Sequence, residues 1–369
     1  MTMNKKKSSH IYFKYIDLGK NGRFSHLLKD IEIFNKYNFY LTEKIEEADI
    51  LFVTHDIRNE FKNFNDRTKK FLYEFKKPII LLERSDSGIC FFREFDEIPN
   101  LVAVFKNRII KDIEKNNVPV FKGRYHYNFT QDDYIKNFSI RKFLSYKTSK
   151  YDTNLIHQFP KIESENFKKI KAVIWDKHSS YLDDIVQSHK KYYYSSYAKK
   201  HIDVFCINRT WEKRGFFYFS RPYEHLIHRN KAYQIIQSLK NTFNVVTKTN
   251  NKKQYLEALR HSKIIVACWG YGEWVHLDGS AMMLGSVLVK PDSDYIFTPP
   301  GLYNKNKTYV ATKENFSDLE NILTSVLKNY ENYNEMRKNN YKMINTSNTE
   351  KIIKHFIDET LLSIKNFST

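Results

Sequence analysis

Residue types suited to binding an anionic ligand cluster between Trp269 and Ser280. Two glycines allow the backbone to turn sharply or to approach a ligand closely. Aromatic side chains beside them can stack on a base or a sugar, although aromatics that flank a buried strand more often belong to the core. Carboxylates in the same stretch can accept hydrogen bonds from ligand hydroxyls. The candidate ligand-binding residues are Gly270, Tyr271, Gly272, Glu273, His276, Asp278, Gly279 and Ser280.

The elements around this stretch form an α/β unit. The apolar, β-branched run Ile264 to Cys268 predicts a central parallel strand, and ligands of α/β sheets bind outside the carboxyl ends of such strands. Asp278 or Ser280 is expected to cap a short helix, whose free amides favour phosphate. Gly285 is expected to end that helix in a left-handed conformation, before the buried strand Val287 to Val289.

This order of elements resembles the donor-binding part of GT-B glycosyltransferases, nearest to the exostosin-like and family-1-like groups. The segment YLEALRHSK, which begins at Tyr255, and the elements that follow it carry the resemblance. The resemblance extends over about residues 204 to 342. It implies that a nucleotide-sugar donor binds the second of two domains and a hydroxyl acceptor binds the first. Many retaining enzymes of this fold carry two glutamates across the loop. Gly272 and Ser280 stand at the matching positions, so the stereochemistry is left open.

The resemblance implies a diphosphate leaving group, which fixed cations must stabilise if no metal does so. The candidate cations are Arg209, Arg214, Arg221 and Lys248, and the alternative for each is a solvated basic loop. The expected donor is a UDP-sugar or a GDP-sugar, with no metal and no further cofactor required.

An inverting transfer needs a general base at a strand end of the first domain. Asp86 follows the apolar run Pro78 to Leu82 and is the first candidate, with His55 and Asp56 after another strand as the next. The alternative for Asp86 is a turn-forming role in Asp-Ser-Gly.

Asp292 and Asp294 match the spelling of the metal-binding DxD motif of GT-A glycosyltransferases. Their position late in the chain, after a strand of the second domain, favours a solvated turn instead. The sequence contains no GxSxG, P-loop, HExxH or dinucleotide GxGxxG motif, which removes the usual support for hydrolase, NTPase, zinc protease and classical dehydrogenase functions.

The 369 residues carry 61 Lys and Arg against 42 Asp and Glu, a formal charge of +19. This excess is compatible with nucleic acid, with peripheral contact to an anionic membrane, or with a polyanionic small ligand. The scattered lysines and the absence of an RNA-binding aromatic signature disfavour nucleic acid and favour charge spread over solvated faces. Three cysteines without close spacing and no apolar run of about 18 residues predict a cytoplasmic protein without a transmembrane segment.

Alternation of strands and helices predicts an α/β fold with two Rossmann-like domains that face each other across a cleft, as in GT-B proteins. Residues 1–200 are expected to form the acceptor-side domain with a connector, residues 201–345 the donor-side domain, and residues 346–369 a final helix that crosses back onto the first domain. The predicted strands are His10 to Asp17, Phe39 to Leu41, Ala48 to Val53, Pro78 to Leu82, Leu101 to Phe105, Ala172 to Trp175, Ile202 to Ile207, Phe243 to Thr247 and Tyr309 to Thr312. The predicted helices are Ser25 to Tyr37, Asn59 to Phe75, Ile109 to Lys115, Tyr223 to Leu239, Ser317 to Tyr330 with Ser317 as N-cap, and Asn348 to Phe367.

The sequence therefore predicts a metal-independent glycosyltransferase that moves a sugar from a nucleotide-diphosphate sugar to a glycan or another hydroxyl acceptor. Two alternatives remain open at this level: a basic α/β protein that binds nucleic acid, and a GT-B-like protein that binds a nucleotide sugar or carbohydrate without catalysis.

Overall fold

A computed structural model describes residues 10–17, 28–56, 66–84, 87–121, 156–157, 159–175, 185, 200–207, 224–270 and 272–367. In chain order, the strands in these ranges are β1 (Ile11–Asp17), β2 (Phe39–Leu41), β3 (Ile50–Asp56), β4 (Ile79–Arg84), β5 (Leu101–Lys106), β6 (Ile109–Ile110), β7 (Val120–Phe121), β8 (Ile156–His157), β9 (Ile170–Ala172), β10 (Ile202–Phe205), β11 (Val245–Val246), β12 (Ser262–Val266), β13 (Val287–Pro291), β14 (Ile296–Phe297) and β15 (Val310–Thr312). The helices are α1 (Ile31–Lys36), α2 (Asp66–Glu74), α3 (Ile113–Asn116), α4 (Ser164–Lys168), α5 (Glu224–Ser238), α6 (Lys252–Arg260), α7 (His276–Met283), α8 (Leu319–Lys328), α9 (Asn334–Asn345) and α10 (Thr349–Phe367).

The first half of the chain forms a six-stranded parallel sheet in the order β2-β1-β3-β4-β5-β9. Its central strands are continuous apolar runs, and Ile79, Ile80, Leu81 and Leu82 are all fully buried. A parallel sheet covered on both faces requires such runs. The predicted α/β character of this half is therefore confirmed.

The second half forms a five-stranded parallel sheet in the order β11-β10-β12-β13-β15. Strand β12 lies at its centre, paired with β10 on one side and β13 on the other, as predicted. The short helix α7 connects β12 to β13, and the left-handed conformation of Gly285, with φ of +63°, follows it as expected. Two parallel sheets in one chain give the two Rossmann-like halves that the sequence predicted.

Three local predictions are wrong. Ile109 and Ile110 form strand β6 and not the start of a helix, which is limited to Ile113–Asn116. The strand predicted at Ala172 to Trp175 instead ends at Ala172. The N-cap of α8 is Asp318 and not Ser317.

The two halves meet at a short antiparallel pair, in which Ile110 of β6 lies opposite Ile296 of β14. The backbone N–H of Lys111 donates to the carbonyl of Tyr295 at 2.9 Å, and the Lys111 ammonium lies 3.4 Å from a carboxylate oxygen of Asp294. Strand β6 follows the carboxyl end of β5, and β14 follows the carboxyl end of β13. This pairing therefore links the same edge of both sheets.

The C-terminal helix α10 returns to the first sheet, as predicted. Phe356 lies at the centre of this contact, with its ring 5.1 Å from that of Phe52 and 5.5 Å from that of Phe105. Phe34 of α1 completes the cluster at 5.9 Å. On α10, Ile352, Ile353, Phe356 and Ile357 are buried, Ile364 is half-buried, and Leu361 is 41 % exposed.

One hydrophobic cluster contains buried side chains from both sheets and from α10. The first sheet ends at Ala172 and the second begins at Ile202, so the predicted boundary at residue 200 stays a prediction within this interval. None of the helices in the described ranges combines the length and the apolar character that crossing a membrane requires.

Replacing Phe356 with alanine is expected to lower the free energy of unfolding by about 3 to 5 kcal/mol, because the cavity it leaves contacts both α1 and the first sheet. Leu361→Ala on the exposed side of the same helix is the matched control and should change it by about 0.5 kcal/mol or less. Denaturant midpoints followed by circular dichroism measure both. Equal effects of the two substitutions would contradict the docking of α10 on the first sheet.

Candidate functional site

The carboxyl ends of the two sheets face each other through three segments: residues 87–94 after β4, Asn107 and Arg108 after β5, and the loop after β12, described at residues 267–270 and 272–275. The backbone N–H of Gly88 lies 3.5 Å from a carboxylate oxygen of Glu273. The guanidinium carbon of Arg108 lies 5.8 Å from the ring centre of Trp274. Ligands of α/β sheets bind at this edge of the strands, so a ligand held between the halves would contact both.

Arg108 lies in the junction, the region where the carboxyl edges of the two sheets meet, and sequence reasoning did not identify it. Its side chain is only 1 % exposed, and within the described residues its Nε and Nη1 nitrogens are buried without a hydrogen-bond partner. Burying a nitrogen without a hydrogen-bond partner lowers stability, so two such atoms in a native structure call for an explanation. The signal in the sequence was the change from the apolar run Leu101 to Phe105 to Lys-Asn-Arg, which places polar side chains at the carboxyl end of a central strand.

A second buried charge cluster lies directly behind the loop after β12. One carboxylate oxygen of Asp278 accepts a hydrogen bond from the Lys290 ammonium at 2.7 Å, and the Tyr303 hydroxyl donates to the same oxygen. The Lys290 ammonium also donates to the backbone carbonyl of Glu273 at 2.8 Å. Asp278 and Lys290 are completely buried. This cluster fixes the loop between β12 and α7 against β13.

Burial lowers the pKa of the Lys290 ammonium, although the adjacent Asp278 carboxylate acts in the opposite direction. Burial and the same carboxylate raise the pKa of the Tyr303 hydroxyl well above its usual value. The positive charge of Arg108 lowers the pKa of both groups. Arg108 and the Asp278 cluster are therefore close enough to form one electrostatic environment.

Helix α7 begins earlier than predicted, with Val275 as its N-cap. Asp278 lies at the third helical position, where its carboxylate accepts from the N–H of Val275 at 3.2 Å, so neither Asp278 nor Ser280 caps the helix. Sequence reasoning misplaced this boundary because Asp278 is a common capping residue, whereas His276 and Leu277 before it are already helical. Ser280 is buried, and its hydroxyl lies 3.3 Å from Nδ1 of His276, which is exposed.

The glycines of the predicted loop allow close packing within the protein. A Cβ atom at Gly279 would lie 2.5 Å from the side chain of Ile185. A Cβ atom at Gly270 would lie 3.1 Å from a guanidinium nitrogen of Arg229, whose Nε donates to the carbonyl of Trp269 at 3.1 Å. The N–H of Gly270 donates to the carbonyl of Gly272, which closes the turn. Arg229 on α5 is a second cation at this loop that sequence reasoning did not identify.

Trp269 belongs to the core and does not face a ligand site. Its ring is 1 % exposed and stacks on His228 at 4.9 Å, and its indole N–H donates to the Ser293 hydroxyl. This outcome agrees with the expectation that aromatics beside a buried strand more often pack in the core.

Several predicted site residues lie outside the described residues: Asp86, Arg209, Arg214, Arg221 and Tyr271. Lys248 is exposed just beyond the end of β11. The backbones of His55 and Asp56 form the last two positions of β3, paired with Glu83 and Arg84 of β4. Both therefore stand at the carboxyl edge of the first sheet, where the general base is expected. The roles proposed for all these residues stay predictions.

Asp292 and Asp294 lie after β13, and each carboxylate is close to a lysine ammonium. Asp292 accepts from the Lys305 ammonium at 2.7 Å and from the Tyr309 hydroxyl at 3.1 Å. Burial of Asp292 would raise the pKa of its carboxyl group, but these contacts lower it overall. Asp294 lies 3.4 Å from the Lys111 ammonium. Among the described residues, no cluster of three or more His, Cys, Asp or Glu side chains could hold a metal ion.

No family model matches this chain, and no curated protein matches it. Among solved structures it is similar to TarM, with 10% identity and a TM-score of 0.39 over 84% of this chain and 54% of that chain, so the chain spans about half the length of TarM. It is also similar to an alpha1,3-fucosyltransferase with GDP-fucose, with 12% identity and a TM-score of 0.34 over 97% and 93% of the two chains. For the UDP-GlcNAc 2-epimerase from Neisseria meningitidis bound to UDP-GlcNAc, the values are 11% identity and a TM-score of 0.37 over 92% and 84%. A fucosyltransferase and a UDP-GlcNAc 2-epimerase are thus among the structures similar to this chain.

Asp278→Ala is expected to lower the free energy of unfolding by about 3 to 5 kcal/mol, because it leaves the Lys290 ammonium buried without its counter-charge. The control, Asp358→Ala, breaks the exposed pair with Lys354 and should cost about 1 kcal/mol or less. The double variant Asp278→Leu with Lys290→Met should recover most of the loss, since it removes both charges. Chemical denaturation measures all three. An Asp278→Ala protein as stable as wild type would show that the pair is not buried in solution.

Proposed function

We propose that the protein is a GT-B-type glycosyltransferase that binds a nucleotide-diphosphate sugar between its two sheets and transfers the sugar to a hydroxyl acceptor without a metal. The observation that carries this proposal is Arg108, whose guanidinium lies where the carboxyl edges of the two parallel sheets face each other. Its buried Nε and Nη1, without partners among the described residues, are suited to a ligand that brings its own negative charge.

The chemistry of the transfer matches this placement. The acceptor oxygen forms a bond to the anomeric carbon, the bond from that carbon to the diphosphate breaks, and the electron pair leaves with the phosphate oxygen. A fixed guanidinium can donate a charge-assisted hydrogen bond to that oxygen through Nε or Nη1. Because Arg108 is held in place before the reaction, this stabilisation needs no reorganisation as charge develops.

The second sheet supplies the other side of the proposed site. Arg229 lies against the glycine turn after β12, and the Asp278 cluster holds that turn in place. In this account Glu273 and Asp278 act by positioning the loop, since both are completely buried. Arg209, Arg214, Arg221 and Lys248 remain the proposed additional cations for the diphosphate.

In this proposal, a residue at the carboxyl edge of the first sheet removes the proton from the acceptor hydroxyl. Asp86 remains the first candidate, with His55 and Asp56 next. Asp86 follows β4, which is adjacent to β5, whereas His55 and Asp56 end β3 on the far side of β4. Arg108 lies just beyond the end of β5. The base would then lie on the acceptor face of the anomeric carbon, while the Arg108 guanidinium, on the same sheet edge, would contact the leaving phosphate on the opposite face.

Arg108→Met is expected to weaken binding of UDP or GDP by about 10-fold to 100-fold, the loss expected for one charge-assisted hydrogen bond or slightly more. The same substitution should leave the melting temperature unchanged or raise it, because it replaces a buried cation whose Nε and Nη1 lack hydrogen bonds with an apolar side chain of similar length. Titration calorimetry and thermal unfolding measure the two effects. Uridine and guanosine, which lack phosphates, should bind the variant as they bind wild type.

The matched control is Arg67→Met on the exposed face of α2, which should change neither affinity nor melting temperature. Absence of stabilisation of the wild-type protein by any nucleoside diphosphate or nucleotide sugar would count against the function itself. Equal affinity of Arg108→Met and wild type for a nucleoside diphosphate would instead count against the role of Arg108 alone. Steeply salt-dependent binding to unrelated DNA duplexes, without nucleotide binding, is the result expected of a nucleic-acid-binding protein.

A further inference from the structure

A pocket of about 330 Å³ opens between the two C-terminal helices and the edge of the first sheet. Its walls are mostly apolar and come from four separate parts of the chain: the segment just after β9, the end of β14 with the turn that follows it, the end of α9 with the residues after it, and α10. The apolar lining residues are Ile174, Phe297, Pro299, Pro300, Met343 and Ile352. Phe297 is 41 % exposed although it lines this concave surface. Exposed apolar surface gathered in a concavity is typical of a small-molecule site.

The polar residues that line the pocket differ in whether their polar groups already have partners within the protein. The hydroxyl groups of Thr346 and Ser347 both donate to the carbonyl of Met343, so their donors are already used. The His355 ring lies 3.3 Å from the carbonyl of Ala172. The Lys351 ammonium is exposed and has no ion-pair or hydrogen-bond partner among the residues that the structure describes.

The mouth of the pocket carries positive charge. None of its lining residues is acidic. Glu350, the nearest acid along α10, is already paired with the Lys36 ammonium and accepts from the Tyr37 hydroxyl. The next acid on the helix, Asp358, is paired with Lys354. An approaching anionic group would therefore meet Lys351 without competition from these two carboxylates.

The volume limits the size of the apolar part of a ligand. An engineered apolar cavity of about 150 Å³ admits one benzene molecule. A pocket about twice that size has room for roughly twelve carbon atoms, and it is open on one side, so a head group can remain in water.

We propose that this pocket binds the chain of a single-chain anionic amphiphile of about ten to twelve carbons, with its head group beside Lys351. The apolar walls remove the chain from water, and the ammonium selects a negative head over a positive one. This site is separate from the residues proposed to bind a nucleotide sugar, and the inference does not depend on transferase activity.

The test uses dodecyl phosphate below its critical micelle concentration, titrated into the full-length protein by calorimetry. Saturable binding of one molecule per chain is expected. Decyl phosphate should bind about tenfold more weakly, because its chain is two methylene groups shorter and each buried methylene strengthens binding by a similar factor. Dodecyltrimethylammonium, with the same chain and the opposite charge, should bind more weakly than dodecyl phosphate.

Two substitutions probe the chain and head contacts separately. Thr346→Trp places a large ring at the exposed rim and should abolish binding by filling the pocket, while Lys351→Glu should weaken dodecyl phosphate about fivefold to tenfold. Lys365→Glu, on an exposed turn of the same helix, changes the net charge equally and should leave affinity unchanged. Unaltered affinity in a folded Thr346→Trp protein, or equal losses for Lys351→Glu and Lys365→Glu, would overturn the proposal. So would equal binding of the cationic and anionic amphiphiles.

Discussion

The antiparallel pairing of β6 with β14 holds the carboxyl edges of two parallel sheets against each other. It involves only two residues from each segment, but each segment follows the carboxyl edge of its own sheet. Arg108 immediately precedes β6 and Phe297 ends β14, so the junction and the apolar pocket both take their positions from this pair. The C-terminal helix then secures the arrangement from the other side by packing Phe356 against the first sheet.

Buried charged groups have opposite effects on the stability of the junction. Asp278, Lys290 and Tyr303 form a connected cluster in which one carboxylate oxygen serves both donors. Arg108, a short distance away, has buried nitrogens without hydrogen bonds among the described residues. A buried group that lowers stability without compensation within the protein is a common property of binding sites, where the ligand completes the interaction. This contrast separates the structural residues of the junction from the one proposed to contact the ligand.

The sequence predicted the parts of the structure that repeat. Apolar runs such as Ile79 to Leu82 and Ile264 to Val266 can only be buried strands, and the amphipathic period of α10 predicted its docking. The β6 segment could not be predicted, because Ile109 and Ile110 pair with residues more than 180 positions away and their local pattern is compatible with a helix. The start of α7 was misplaced because Asp278 is a good capping residue that here serves the third helical position.

Sequence reasoning chose the loop after β12 as the candidate site, and Glu273 of that loop approaches Gly88 of the first half. Glu273 and Asp278 are completely buried, and Asp278 is bonded to Lys290 and Tyr303. Their assignment as ligand contacts stays a prediction. Sequence reasoning missed Arg108 because the change from the apolar run to Lys-Asn-Arg marks the end of a strand but does not show which of these side chains becomes buried. Only the packing of two distant segments makes that arginine a buried cation.

A crystal structure of the full-length protein soaked with UDP or GDP tests the central claim most directly. The account predicts the diphosphate between the carboxyl edges of the two sheets, with a phosphate oxygen within about 3 Å of Nε or Nη1 of Arg108. A nucleotide bound elsewhere on the chain, or at the junction with its phosphates directed away from Arg108, would contradict it.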